Sequence, residues 1–460
     1  MKKIAYILFL LTISVQCIAQ NVLPDLKELL LQYKNASSDS NRINACLQLS
    51  SYYLFKEDRH LADADSAFVF LKQAQQSYTR LNVESLQYAT TGLLGNYYII
   101  KGNITQGKML CQKSLTYYHT NKNYFQEAIN WDHFGKSFPD TNAYYIQEKL
   151  NCFQHAQSLF IQLHQQLQAS EMLQQIAVCH TKQNKLNMAE NEMLQVLKTY
   201  KALHSPKLLT AYNALAEISE SETDLHKELL YRLDIIKTME ATSDTAQADY
   251  YYAKLALVYA DLDMYAESLN YILKALDILK KRKQYDDYYG DLSLAIYDFI
   301  TEGKPKPALE YLFKTVKEVP PQNLAHKVDL SEAFGNCYAA MKQYAKAEQY
   351  YLEMMRVFAV TKNSDLYSTH QQMIIDFTHY NQIMGNFYID THQYQKAGYY
   401  FNQILMLPSG SVRPITLTKI HLMQFKVDSA SHNFISAINH YQLHKQIDDS
   451  LFSIEKNQQI

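Results

Sequence analysis

Residues 331–354 read SEAFGNCYAAMKQYAKAEQYYLEM, and residues 381–404 read NQIMGNFYIDTHQYQKAGYYFNQI. In both, a glycine (Gly335, Gly385) is followed three positions later by tyrosine (Tyr338, Tyr388) and 12 positions later by alanine (Ala347, Ala397). An aromatic stands three before each alanine (Tyr344, Tyr394) and another four after it (Tyr351, Phe401), which is the spacing of one helical face. Lys342–Gln343 and His392–Gln393 lie between the two halves as turns. The physical reading is a pair of antiparallel helices that approach closely where small side chains sit, with aromatics filling the space around them.

The same signature runs outward in both directions. Small-then-aromatic pairs recur as Ser50/Tyr53, Gly95/Tyr98, Gly135/Phe138 and Ala256/Tyr259, and Ala177 keeps the small residue before His180. The second small residue follows 12 later as Gly107, Ala189 and Ser268. Counted from the first small position, units fall at 50, 95, 135, 177, 216, 256, 296, 335 and 385, a period near 40, with the units at Ala216 and Ile296 matching poorly. A divergent last unit has Phe425 in place of the small residue and Ala437 in its second helix, as terminal caps of arrays commonly diverge. Residues 24–35, with Leu26, Leu29, Leu30 and Tyr33, form an extra amphipathic helix over the first unit.

These residues resemble the tetratricopeptide repeat, whose pattern is W-x2-L-G-x2-Y followed by A-x3-F; Trp131, Phe134, Gly135 and Phe138 match its first half closely. The resemblance implies an all-α, right-handed superhelical solenoid of antiparallel helix pairs over residues 20–445, with a bend near 320–325 at Pro320 and Pro321. HEAT and armadillo repeats share the period but not these offsets. Composition agrees: 47% hydrophobic residues with only 11 Gly and 9 Pro in 460 suit long helices joined by short turns.

Formal net charge is −2, so no basic excess exists to neutralise a nucleic-acid backbone, and nucleic acid is set aside. The N-terminus carries Lys2 and Lys3, an apolar run from Ile4 to Val15, and Ala19, which reads as a signal peptide over residues 1–19. The expectation is an exported, periplasmic or envelope protein whose mature chain has no membrane span, because that run is shorter than the roughly 20 residues a spanning helix needs. A lipid on Cys17 is the less favoured alternative, since Gln16 is a poor residue before an acylated cysteine. Cys46, Cys111, Cys152, Cys179 and Cys337 are odd in number, widely spaced and read as buried small apolar residues.

The chain has no Gly-rich phosphate loop, HExxH, G-x-S-x-G or CxxC, so neither a catalytic site nor a cofactor is expected. His440 and His444, four apart with His432 two turns earlier, share a helical face, but no acidic or cysteine ligand stands nearby and no metal site is assigned. Tetratricopeptide arrays usually bind protein or peptide segments in a concave groove lined by the first helices, and that resemblance implies a protein-interaction scaffold. Asn96, Asn336 and Asn386, each directly after a small residue, are the expected groove contacts, because an amide pairs with both donors and acceptors of an extended backbone. Gln382 and Tyr250 join them. Family members that clamp a C-terminal carboxylate carry Lys four residues earlier; Gly92, Glu332 and Gln382 stand there, so that clamp is not carried over.

The layout as a whole, from the leader to the ending Asp449, Ser450, Leu451 and Phe452, resembles bacterial receptors in which an exported tetratricopeptide region precedes a coiled linker. That implies a sensory region whose transmembrane and output segments lie elsewhere, with residues 446–460 as the start of the linker helix. A secreted enzyme is the least favoured reading.

Overall fold

The first small position of every repeat lies in the first helix of an antiparallel pair, and the second small position, 12 residues on, lies in its partner. A computed structural model of the chain describes residues 25–56, 60–81, 83–243, 245–361 and 370–458. The described residues are all-α, an array of paired helices of the tetratricopeptide type. The leader at residues 1–19, Cys17 and Pro24 lie outside them. Contacts divide the chain into two compact units, Met1–Thr238 and Met239–Ile460.

In the first unit α1 (Leu26–Asn35) precedes five pairs: α2 (Asp39–Phe55) with α3 (Leu61–Leu81), α4 (Glu84–Ile100) with α5 (Ile104–Thr120), α6 (Tyr124–Ser137) with α7 (Ala143–Gln162), α8 (Gln166–Lys182) with α9 (Leu186–Ala202), and α10 (Leu208–Ser221) with α11 (Leu225–Thr242). The unit boundary falls inside α11. In the second unit the pairs are α12 (Ala248–Asp261) with α13 (Tyr265–Arg282), α14 (Tyr285–Thr301) with α15 (Pro305–Glu318), α16 (Leu324–Ala340) with α17 (Tyr344–Thr361), α18 (His370–Asp390) with α19 (Tyr394–Leu405), and α20 (Pro414–Ala430) with α21 (Phe434–Gln458). Residue 446 lies in the middle of α21, which is one continuous helix. Pro320 and Pro321 lie in the connection between α15 and α16, inside the second unit.

The turns explain the short connections. In the pairs built on Gly95, Gly335 and Gly385, the N–H of Asn103, Gln343 and Gln393 donates back to the carbonyl of Tyr98, Tyr338 and Tyr388 at 2.8–2.9 Å. Gly102, Lys342 and His392 before them have φ of 88°, 59° and 61°. This left-handed stop satisfies the last carbonyls of one helix and reverses the chain within a few residues. The tyrosine three after the small residue supplies the accepting carbonyl, so the repeat signature marks the helix end as well as the core.

Packing corrects one detail of the sequence reading. Gly335 was expected to oppose Ala347, yet the space beside it is filled by the Tyr351 ring. Gly385 stands likewise against Phe401, where an added Cβ would come within 2.5 Å of Cε1 and Cζ. In the pair with two glycines the small residues do come together: a Cβ on Gly95 would lie 2.8 Å from the Gly107 carbonyl. Ala216 and Ile296, weak matches in sequence, are buried like the other markers, and all five described cysteines are buried and free.

Candidate functional site

The first helices of the second unit share a face that the core leaves partly open. On α16 the residues Asp329, Glu332 and Asn336 follow at i, i+3 and i+7; on α18 the matching row is Asp376, His379, Gln382 and Asn386. On α12 and α14 the corresponding positions are apolar: Tyr250 is 38% exposed, Leu257 44% and Tyr297 55%. Such a row of large exposed apolar side chains beside polar ones is the usual composition of a binding surface.

Hydrogen bonds fix the polar end. Glu332 is nine-tenths buried, and His379 Nε2 lies 3.2 Å from both of its carboxylate oxygens. Burial alone would lower the His379 pKa, but the hydrogen bond to Glu332 and the charges of Glu332, Asp376 and Asp329 outweigh it and raise it. Asp329 is pushed up to about 7, first by burial and then by Glu332 and Asp376. On α14, Asp291 is pushed up to about 6 by burial and by Asp287 and Asp249.

The five residues singled out in the sequence are placed differently from one another. Asn386 is exposed, Gln382 and Asn336 are half-buried, and Tyr250 opens the apolar end. Asn336 also has a packing role, since its Oδ1 accepts the Tyr351 hydroxyl at 2.7 Å. Asn96, in the first unit, is 2% exposed and accepts from Cys111 Sγ at 3.3 Å, so its amide is turned into the core and away from any ligand. Asp329, His379 and Asp291 were missed by the sequence reading. Their signal was available as acidic and basic residues three or four apart on the helices already assigned, on the side opposite the core.

His440 and His444 do not converge on a common point. His440 Nδ1 lies 2.9 Å from His421 Nδ1, while His444 Nδ1 lies 2.7 Å from the Thr418 hydroxyl. A shallow depression also lies along the second helices α17 and α19, around Lys396 and Tyr399 and beside Tyr388 of α18. Its polar groups are already paired: Glu348 accepts from Tyr388 at 2.8 Å and from Lys396 at 3.0 Å. No helix of the described residues is long and apolar enough to cross a membrane.

No family model matches the chain. In sequence it is similar to Response regulator aspartate phosphatase I of Bacillus subtilis, 27% identical over 146 residues. That match covers 30% of this chain and spans only 36% of the relative. In structure it is similar to the apo form of RapI, with a TM-score of 0.54, 9% identity, and coverage of 79% of this chain and 96% of that one. The apo quorum sensor NprR from B. thuringiensis aligns at a TM-score of 0.46, with 11% identity over 89% of this chain and 99% of that one.

These comparisons overturn two expectations. The absence of compact catalytic motifs does not make the chain a non-enzyme, because the relative that its sequence matches carries the name of a phosphatase. Export, and with it the signal peptide and the periplasmic or envelope location, is likewise not upheld, because the protein that the sequence resembles is named a response regulator aspartate phosphatase and not an envelope protein. The likeness to RapI establishes a shared helical-repeat fold.

Proposed function

We propose that the chain is a regulatory binding array that takes a peptide or an extended protein segment along the first helices of its second unit. The observation that supports this reading is the row on α16 and α18, where exposed Asn386 and half-buried Gln382 and Asn336 stand next to the exposed apolar row of Tyr250, Leu257 and Tyr297. Amides read both edges of an extended backbone, and the apolar end takes alternate side chains. Affinity selection of a random heptapeptide library on the intact chain tests it. Enrichment of a defined set is expected, weakened about tenfold by Gln382→Ala with Asn386→Ala, a loss of roughly 1.4 kcal/mol. A selection that yields no peptide, or peptides that bind the double variant equally well, contradicts the reading.

A second reading is carried by the sequence likeness to a response regulator phosphatase: the array also promotes loss of phosphate from an aspartyl phosphate on a response regulator. It is tested by following the phosphate on a response regulator charged with acetyl phosphate. Faster loss with the chain present is expected, and an unchanged lifetime would sink this second reading without touching the first.

A further inference from the structure

We infer that the junction between α13 and α14 is a pH-set joint, tight when the Asp298 carboxyl carries a proton and loosened when it is charged. Asp298 is fully buried on α14, and its Oδ2 accepts the hydroxyl of Ser268, equally buried on α13, at 2.6 Å. Its other oxygen, Oδ1, is buried and has no hydrogen-bond partner among the described residues. Leu269 and Ile272 on α13 and Ala295 and Ile296 on α14, close to the two along the chain, all belong to the apolar core of this unit. The joint needs no ligand to act.

The repeat shows how unusual this pair is. Ser268 holds the second small position, which is Gly107, Ala189, Ala347 and Ala397 in other units. Asp298 stands two after the marker Ile296, where other units bury Cys179, Ile218, Val258, Cys337 and Phe387. A carboxyl placed where the fold elsewhere packs a thiol, an aliphatic chain or a ring is not needed to close a helix pair. It weakens the core it sits in, because a buried oxygen without a partner costs free energy and a buried charge costs far more. Ser268 partners only one of the two oxygens, so the charged form is half satisfied. In the acid form Oδ2–H donates to the Ser268 oxygen, and the oxygen left over is an uncharged carbonyl.

The electrostatic setting agrees with the geometry. Burial pushes the Asp298 carboxyl up to about 6; the Ser268 hydrogen bond opposes this, and the charge of Glu302, one turn on along α14, adds to it. No charged group on α12, α13, α15 or α16 acts on it among the described residues. An acid whose folded pKa exceeds its unfolded value, about 3.9, favours the folded state fully below the unfolded value, and that contribution is lost as pH rises through about 6. The joint is therefore firmest in mild acid and loosest above neutrality.

Amide hydrogen exchange on the intact chain at pH 5 and pH 7.5, expressed as protection relative to the intrinsic rate at each pH, tests this. Protection of α13 and α14 should fall about tenfold from pH 5 to pH 7.5 in excess of any fall that the Asp298 variants retain. Two variants remove the titrating group in different ways: Asp298→Asn keeps the shape, and Asp298→Val with Ser268→Ala restores the apolar pairing of other units. Both should lose that tenfold, and the double variant should also be better protected than the unaltered chain at pH 7.5. Asp277→Asn, at an exposed position of α13, should behave as the unaltered chain does. A fall of the same size in the unaltered chain and in either Asp298 variant that keeps its helical content overturns the inference.

Discussion

At the scale of the residue, the repeat is written as a shape match between a glycine and a ring. Gly335 is in the middle of α16, where glycine is unfavourable by about 1 kcal/mol relative to alanine, so something must require it. The Tyr351 ring occupies the space where its Cβ would go. Gly335→Ala is therefore expected to destabilise the chain, with overpacking of about 1–3 kcal/mol outweighing the gain in helix propensity. In a Tyr351→Ala background the same substitution should become neutral or stabilising, and thermal unfolding of the four proteins of this double-mutant cycle measures the coupling. Additive effects would mean that the ring and the glycine do not touch. The sequence made the glycine legible as a place of close approach but misidentified what approaches it. The 12-residue spacing to Ala347 is the more regular mark, whereas the ring that fills the gap stands 16 residues away. Asn96 failed for a related reason: position in the repeat is the same for Asn96, Asn336 and Asn386, but the local fill around each is not, and in the first unit Cys111 draws the amide inward.

At the scale of the element, helix existence was legible almost throughout, because the small-aromatic pairs mark helix ends by the same residues that fill the core. What the sequence did not announce is how a pair is closed at its far side. The last pair, α20 and α21, is joined by His421 and His440, whose Nδ1 atoms lie 2.9 Å apart with rings 5.2 Å centre to centre. Burial lowers the pKa of both; the charges of His440 and His444 add to the lowering at His421, and Asp428 opposes it at His440. A base whose folded pKa lies below its unfolded value, about 6.5, loses folded-state stability as pH falls below that unfolded value. Amide exchange across residues 414–450 should therefore accelerate more between pH 7.5 and pH 5.5 than the intrinsic chemistry of exchange requires. His421→Asn should blunt that pH dependence. An unchanged dependence in the variant would show that the pair does not control the hairpin. Here the helical i, i+4 pairing of His440 with His444 was visible in sequence but pointed to the wrong partner, since the group that matters arrives from the preceding helix.

At the scale of the whole molecule, the period near 40 and the paired-helix plan followed from spacing alone, because a repeat array has only nearest-neighbour packing to satisfy and writes it into every unit. Activity and location did not follow. Missing compact motifs argued against an enzyme, and an apolar leader argued for export, yet the relative matched over 146 residues is named a response regulator aspartate phosphatase. The division at Thr238 and Met239 was not legible either, because it falls inside a regular helix and not at a proline or glycine break. Of the proposed binding face, Asn386 and Gln382 were singled out from repeat position and Tyr250 from a run of three tyrosines, while Asp329 and His379 needed the first helices to be set side by side. The measurement that tests the central claim most directly is amide hydrogen exchange on the intact chain with and without a selected heptapeptide at saturation. The account predicts slowed exchange in α12, α14, α16 and α18, with the second helices α17 and α19 unchanged. Slowing confined to α17 and α19, or to the first unit, would contradict it.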